Sequence, residues 1–415
     1  MAKLVDALDL GSSGQPWGFE SLHPHNLNVV ILNEVKNLVQ SDNIFYLTLN
    51  NSNVNVSQKN TDDLNAVISI ELKKEDYLPN VDKALIAAKN NAVIKGFRKG
   101  HVPTGLIKKM YGNSILLDEL NKVVSDALNK HIEDAKLDML GRPLPVASDI
   151  TLDINQPNDY TFEYEIGLAP EVKVTLNKKF SVEKPAITID DKTLEDEIEK
   201  LRERHGKLLN PDRAEGEKPE FEKAEINQEF FDKVYGPNIV TTIEDFKEKV
   251  RQELQDFSDK SAQNKIKENI YNALLDKTNV SFPDAFLKKF IKASNEKPIS
   301  DEQLEEEYPQ FEKGLKWNLI TNAIAKDNEI KVELEDVKNF SKEQLRAQFM
   351  MYGGGITDEM IETFNNSMMA KEDHVKKSYE GAMEQKLFTF IEGQIKIVEK
   401  PISFDEFFNK KEENN

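Results

Sequence analysis

Alternating apolar and polar positions predict two β-strands in the first half of the chain. Residues 65–72 alternate, with Ile68, Ile70 and Leu72 among polar neighbours. Residues 161–168 alternate in the same way. Both segments have the length of an ordinary strand, and we expect them to pair with each other in one sheet.

Apolar residues at steps of three and four predict helices between these strands. A helix over 77–93 would carry its apolar stripe as far as Val93. The two glycines and the proline of residues 96–103 forbid continuation of that helix, so a loop follows it. A short helix over 104–110 and a longer one over 114–137 come next. Together with the strands, these elements predict a compact α+β unit.

The second half of the chain is predicted to be mostly helical. Thr241 and Glu244 can form a capping box at the start of its longest helix, and Pro283 suits the first turn of the next one. The predicted elements are an extended segment over 171–185, helices over 192–205, 241–277, 301–325, 335–351 and 357–392, and a strand over 394–398.

These patterns predict the fold class α+β, with a small α+β head followed by a mostly α-helical, elongated domain. Residues 1–53 have no convincing period, and we expect either a mis-assigned start or a disordered extension. The predicted divisions are an extension over 1–53, the head over 54–168, a linker and arm helix over 169–205, a short polar linker over 206–225 and a helical domain over 226–415.

Composition excludes several classes of function. The net charge of −19, from 74 acidic and 55 basic residues, argues against generic nucleic-acid binding but not against a local basic patch. There is no cysteine, and the six histidines show no metal-ligand spacing, so no metal or cofactor is expected. Apolar runs are too short to cross a bilayer, so we expect a cytoplasmic protein without a membrane partner.

The segment GFRKGHVP, residues 96–103, is the sharpest motif in the chain. It lies within a stretch, residues 83–109, that holds seven basic residues and no acidic one. Gly96 and Gly100 allow backbone conformations that other residues avoid, and between them Phe97 stands beside two cations. An exposed aromatic residue there would suit a pocket on a partner, with the cations on phosphates or carboxylates. The alternative is that Phe97 folds back into its own core.

This motif and several later segments resemble trigger factor, the bacterial chaperone at the exit of the nascent chain. GFRKGHVP is followed by LIKKMYG, and GLAPEVKV, EDFKEKVRQEL and KIVEKPISFDEFF follow in the family's order. The resemblance implies docking to a ribosomal protein and nearby ribosomal RNA. By that resemblance, the docking residues are Gly96, Phe97, Arg98, Lys99, Gly100 and Pro103.

The chain departs from the family pattern in two ways. His101 stands where the family usually has lysine, which implies weaker or more pH-dependent docking. The family usually also inserts a prolyl isomerase domain of the FK506-binding type, whereas this chain has only the polar residues 206–225 at that place. We therefore expect no enzymatic activity.

Six of the nine methionines lie between residues 350 and 383. Their flexible thioether side chains would suit an apolar surface that binds many unfolded chains. The alternative is that most of them are core residues of two packed helices. The candidate substrate-contacting residues are Met350, Met351, Met360, Met368, Met369 and Met383.

The sequence therefore predicts an ATP-independent chaperone whose partners are the ribosome and nascent or unfolded polypeptides, with a homodimer as a further form away from the ribosome. Two other interpretations stay open at this point. One is a cytosolic holdase or scaffold that never binds ribosomes, and the other is an isomerase whose proline site lies elsewhere. No nucleotide-binding motif is present, which argues against a nucleotide-driven cycle.

Overall fold

A computed structural model describes residues 54–147, 152–209, 221–295, 297–351 and 357–409. The predicted extension over 1–53 and most of the predicted linker over 206–225 lie outside these residues. The described strands are β1 (Asn55–Asn60), β2 (Asn65–Leu72), β3 (Leu144–Pro145), β4 (Tyr160–Gly167), β5 (Ser181–Thr188), β6 (Lys207–Leu208), β7 (Phe221–Glu222) and β8 (Lys396–Ser403). The described helices are α1 (Lys74–Asn91), α2 (Thr104–Asp134), α3 (Asp191–Arg204), α4 (Gln228–Tyr235), α5 (Ile243–Lys277), α6 (Asp284–Ser294), α7 (Asp301–Asp327), α8 (Leu334–Met351), α9 (Asp358–Met368), α10 (Glu372–Gln394) and α11 (Phe404–Asn409).

A four-stranded antiparallel sheet in the order β1-β2-β4-β3 forms the centre of the first part of the chain. The expected pairing of the two alternating segments is confirmed, with Ile68 opposite Tyr164 and Ile70 opposite Phe162. Alternation places Ile68, Ile70 and Leu72 on the buried face, where each is at most 1% exposed. The small sheet with mostly helical structure after it confirms the α+β class.

The prediction of two helices over 104–110 and 114–137 was wrong, because α2 runs without interruption from Thr104 to Asp134. Gly112, which lies in the predicted gap between the two helices, is buried, and a Cβ atom there would meet the side chain of Ile154. The close approach that glycine permits there, together with the buried stripe of α2, compensates for its low helix propensity. The helix ends before Lys136, whose φ of 49° lies in the left-handed region.

The described chain divides into two compact units. The first comprises residues up to Val172 with Val280–Leu319 and Val332–Ala382, and the second comprises Lys173–Asn279, Ile320–Lys331 and Met383–Asn415. Within the first unit, α6 packs on the sheet because glycines leave room for its aromatic rings. A Cβ atom on Gly167 would lie 2.5 Å from Phe286, and one on Gly141 would lie 2.9 Å from Phe290.

The second unit contains a two-stranded parallel sheet that joins distant parts of the chain. β5 pairs with β8 from Ser181 opposite Lys396 to Thr188 opposite Ser403. The predicted strand over 394–398 was therefore too short, since pairing with β5 carries β8 on to Ser403. The second unit also has a hydrophobic core rich in aromatic residues, in which Phe231 is stacked on Phe246 with 4.8 Å between the ring centroids.

Three local predictions need correction. The cap of α5 is Thr242 rather than Thr241, since Thr242 Oγ1 accepts a hydrogen bond from the Asp245 amide. The helix predicted over 357–392 is two helices, because α9 ends at Met368 and α10 begins at Glu372. The segment over 206–225, predicted as a short polar linker, contributes β6 and β7, which pair as a short antiparallel ribbon.

Candidate functional site

The GFRKGHVP loop, residues 96–103, joins α1 to α2 through two consecutive β-turns. The Phe97 amide donates to the Ile94 carbonyl at 3.0 Å, and the His101 amide donates to the Arg98 carbonyl at 2.9 Å. The third residue of each turn is a glycine, with φ of 94° at Gly96 and 83° at Gly100. A turn with a positive φ at its third position favours glycine there, which explains the spacing of the two glycines.

The end of the loop is anchored in the core. Val102 is completely buried and belongs to the hydrophobic cluster beneath the sheet. Pro103 follows it as the residue that precedes the first turn of α2. The loop therefore leaves a fixed helix and returns to a fixed helix, and only its middle can present side chains to a partner.

The middle of the loop exposes one aromatic ring and, next to it in the sequence, two cations. Phe97 is 43% exposed, and Arg98 and Lys99 are exposed. Within the described residues, neither cation forms an ion pair with a carboxylate. The loop thus holds an accessible ring and two uncompensated positive charges at one turn.

The surrounding surface is basic and contains apolar side chains that the sequence had not revealed as exposed. Val93 is 86% exposed and Ile86 57% exposed. The sequence pattern assigned Val93 to the apolar stripe of the preceding helix, but α1 ends at Asn91 and releases it. The basic side chains, none of which has a carboxylate partner among the described residues, are Lys83, Lys89, Lys95, Arg98, Lys99, Lys108 and Lys109.

The lysines of α6, unlike the basic side chains around the GFRKGHVP loop, pair with carboxylates. Lys288 pairs with Glu305 at 2.5 Å, and Lys289 pairs with Glu165 at 2.7 Å. Lys292 likewise pairs with Asp301. These three lysines are therefore neutralised by neighbouring carboxylates, whereas the seven basic side chains around the GFRKGHVP loop keep their positive charge without such partners in the described chain.

The second candidate surface is the methionine hairpin, which we define as α8 and α9. Two ion pairs connect its helices, Lys342 with Glu362 at 2.6 Å and Arg346 with Asp358 at 2.5 Å. Towards the C-terminal end of α8, the rings of Phe349 and Phe364 lie 5.4 Å apart.

The methionine side chains of the predicted cluster differ in exposure. Met350 is 75% exposed and Met360 is 48% exposed, and both belong to the methionine hairpin. Met368 and Met369 are half-buried at the end of α9. Met383 is half-buried and belongs to the second unit, and the side chain of Met351 lies outside the described residues.

A polar cluster ties the methionine hairpin to α10. His374 Nε2 lies 2.7 Å from Ser341 Oγ of α8 and 3.4 Å from Ser378 Oγ. Burial is the main cause that lowers the pKa of His374, and the positive charges of Lys371 and Lys377 lower it further. The imidazole is therefore held in its neutral form at neutral pH.

No group of side chains suited to a metal ion occurs among the residues that the structure describes. Among the same residues, none of the helices has the length and apolar character needed to span a bilayer.

Comparisons with known proteins agree on one family. A family model described as bacterial trigger factor protein matches residues 54–201, and one described as the probable trigger factor C-terminal domain matches residues 258–410. Neither match is to a prolyl isomerase domain. Together the two models cover more than two thirds of the chain.

Curated relatives match over a shorter stretch. Trigger factor of Hamiltonella defensa is 32% identical over 142 residues, 34% of this chain and 31% of that protein. Trigger factor of Lachnoclostridium phytofermentans is 30% identical over 149 residues, 35% and 34% of the two chains. Trigger factor of Rickettsia bellii is 30% identical over 141 residues, 34% and 30% of the two chains. The matched part thus spans about a third of the length of these relatives.

A solved structure shares the fold. It is described as promiscuous substrate recognition in the folding and assembly activities of the trigger factor chaperone, and it matches with a TM-score of 0.50 at 17% identity. The match covers 81% of this chain and 98% of the other.

Proposed function

Because the chain belongs to the trigger factor family of chaperones, we propose that it docks on the ribosome beside the exit tunnel through the GFRKGHVP loop and shields emerging polypeptides without ATP. The observation that carries this proposal is the exposed ring of Phe97, which stands next to two cations that have no carboxylate partner in the described chain. We place this activity in the cytoplasm.

The chemistry of the loop fits a composite surface of protein and RNA. An aromatic side chain that is already half-covered loses little rotamer freedom when it enters a pocket on a ribosomal protein. Arg98 can pair in a bidentate manner with phosphate oxygens, and Lys99 supplies a point charge. Because these contacts displace counterions, docking should weaken as salt increases.

The methionine hairpin is the surface that we propose for polypeptide binding. Its two exposed methionine side chains are flexible and apolar, and the rings of Phe349 and Phe364 belong to the same pair of helices, so this surface can adapt to different sequences at low energetic cost. The acidic charge of the chain lies mainly beyond residue 180, and it would keep this part of the protein away from RNA, so that the GFRKGHVP loop alone makes the docking contact.

We also propose that the chain acts without prolyl isomerase activity. At the place where the family usually inserts that domain, β6 and β7 pair the two segments that would flank it. Arg202 Nε donates to the Ala224 carbonyl at 2.8 Å, and Lys223 pairs with Glu199 at 2.9 Å and with Glu203 at 3.1 Å. These contacts close the second unit across the position of the missing domain.

Cosedimentation with ribosomes tests the docking proposal. We compare the wild type with a triple variant, Phe97→Ala, Arg98→Ala and Lys99→Ala, at low and high salt. The wild type should sediment with ribosomes more weakly at high salt, and the triple variant should stay in the supernatant at both. A triple variant that binds like the wild type would refute the docking site.

A matched control removes the same kinds of side chain from another exposed surface. The variant Lys247→Ala, Phe257→Ala and Lys260→Ala deletes one exposed ring and two exposed lysines of α5. It should sediment like the wild type. Suppression of aggregation of a denatured client protein, measured without ribosomes, tests the shielding function separately, and all three proteins should show it.

A further inference from the structure

The methionine hairpin exposes two thioether sulfurs at the surface proposed for polypeptide binding. Because the chain has no cysteine, all of its sulfur chemistry belongs to its nine methionines. Only three of the described methionine side chains are largely exposed, and two of them, Met350 and Met360, lie on the hairpin; the third, Met110, lies on α2.

We propose that Met350 and Met360 are sites of reversible oxidation by hydroperoxides, and that their sulfoxides weaken the binding of apolar polypeptide segments. The regulatory part of this inference rests on the proposed function, whereas the modification itself does not. Exposure of the sulfur determines how fast a methionine reacts, so the hairpin pair should react before the half-buried Met368 and Met369.

The chemistry is a transfer of one oxygen atom. The thioether sulfur attacks the distal oxygen of the hydroperoxide with a lone pair, the S–O bond forms as the O–O bond breaks, and the released alkoxide or hydroxide takes up the proton to give an alcohol or water. Sulfur is oxidised by two electrons and the peroxide is reduced by two. A methionine sulfoxide reductase with a dithiol reverses the step, releasing water and leaving a disulfide on the reductase.

The ion pairs and the ring contact that join the two helices of the hairpin involve neither of the side chains that would be oxidised. Ile361 is buried, with 1% exposure, and the ion pairs of Lys342 and Arg346 join α8 to α9. A sulfoxide at either exposed position would therefore change the polarity of the surface without opening the hairpin.

The effect on binding follows from polarity. A sulfoxide oxygen retains water where an apolar segment of a client would otherwise displace it. For two positions that each lose the burial of about one methylene group, we expect binding to weaken about tenfold.

The first experiment locates the oxygen. After limited treatment with hydrogen peroxide and digestion with trypsin, residues 347–371 form one peptide that holds Met350, Met351, Met360, Met368 and Met369. The masses of its fragments then give the extent of oxidation at each of these methionines in the same peptide. Faster oxidation at Met350 and Met360 than at Met368 and Met369 supports the proposal, and equal or reversed rates overturn it.

The second experiment measures binding of a fluorescent unfolded client before and after peroxide, with each variant compared with its own untreated form. The wild type should weaken about tenfold and recover after treatment with the reductase. The double variant Met350→Leu and Met360→Leu should show little change, whereas the controls Met368→Leu with Met369→Leu, and Met110→Leu, should weaken like the wild type. Equal sensitivity of the Met350→Leu and Met360→Leu variant would overturn the regulatory role.

The two proposals fail in different ways. If the untreated wild type binds no client, the proposed chaperone function is wrong, while the order of oxidation is still measured by mass. If the untreated protein binds clients and peroxide leaves that binding unchanged, with both methionines oxidised, the chaperone function stands and the regulation is refuted.

Discussion

Replacing Gly96 or Gly100 by alanine isolates the conformation of the GFRKGHVP loop from every other property of the protein. A Cβ atom added at either position would meet no atom within 4 Å, so neither change creates a clash. The only penalty is the positive φ of 94° or 83°, a region that an L-residue enters at about 1–2 kcal/mol. Any loss of stability or of docking in these two variants therefore has one physical cause, the positive φ.

That penalty must appear in folding, in docking or in both. If the loop keeps its turns, the free energy of unfolding falls by about 1–2 kcal/mol for each change. If the loop relaxes to other turns, stability is preserved, but docking must restore the strained conformation and weakens by about tenfold for each 1.4 kcal/mol. The sum of the two losses should then be about 1–2 kcal/mol for either variant.

Gly105→Ala is the matched control. Gly105 also leaves a Cβ atom free of contacts, but it lies in the first turn of α2 without a positive φ. Alanine there should leave stability unchanged or raise it by up to about 1 kcal/mol. Urea denaturation gives the stability loss, and ribosome cosedimentation gives the docking loss. If Gly96→Ala and Gly100→Ala are as harmless as Gly105→Ala in both assays, the two-turn conformation of the loop is wrong.

Three further predictions concern the scaffold. His374 has a lowered pKa in the folded state, so the unfolded state binds the proton more readily, and the free energy of unfolding should fall as the pH drops below about 6.5. Urea midpoints measured from about pH 8 to about pH 5 should therefore decrease less for His374→Gln than for the wild type. Gly167→Ala should destabilise the protein by about 1–3 kcal/mol in thermal unfolding, because its Cβ would lie 2.5 Å from the buried ring of Phe286, and a normal melting temperature would contradict that contact. Asp190→Ala should cost about 1 kcal/mol in urea denaturation, because the Asp190 carboxylate accepts from the Thr193 amide at 2.8 Å, whereas Asp190→Asn should retain most of the stability.

The fold could be predicted from the sequence where one face of an element is buried and the other is not. The alternation around Ile68 and Ile70 gave both the strand and its buried face, because a shift of one residue would move these side chains into solvent. β1, with the polar sequence NVSQKN, has no such alternation and was missed. It forms because its backbone pairs with the neighbouring strand β2, from Asn55 opposite Glu71 to Asn60 opposite Ala66.

Contacts between distant parts of the chain could not be predicted from the local pattern of apolar and polar residues. The helix break expected near Gly112 did not occur because Ile154, far along the chain, packs on that glycine. Likewise, β8 extends to Ser403 because β5 supplies a partner more than two hundred residues away. Propensity describes each segment by itself, and tertiary packing decided both cases.

For the candidate site, the sequence predicted the position of the loop better than its surroundings. The spacing of Gly96 and Gly100 was sufficient to expect turns that display the residues between them, and the structure has a turn at each glycine. The exposure of Val93 could not be predicted, because it depends on the residue at which α1 ends. The lack of carboxylate partners for Arg98 and Lys99 within the described chain also depends on tertiary neighbours.

The distribution of charge is itself an argument for a partner. Like charges on adjacent turns repel one another, and a chain with 74 acidic residues could neutralise them easily, as it does for the lysines of α6. No acidic residue occurs between Lys83 and Lys109, so the first unit keeps this repulsion in its free state. Proteins commonly retain such unfavourable features where function requires them. A surface with dense negative charge removes the repulsion on binding, and the phosphates of RNA provide such a surface.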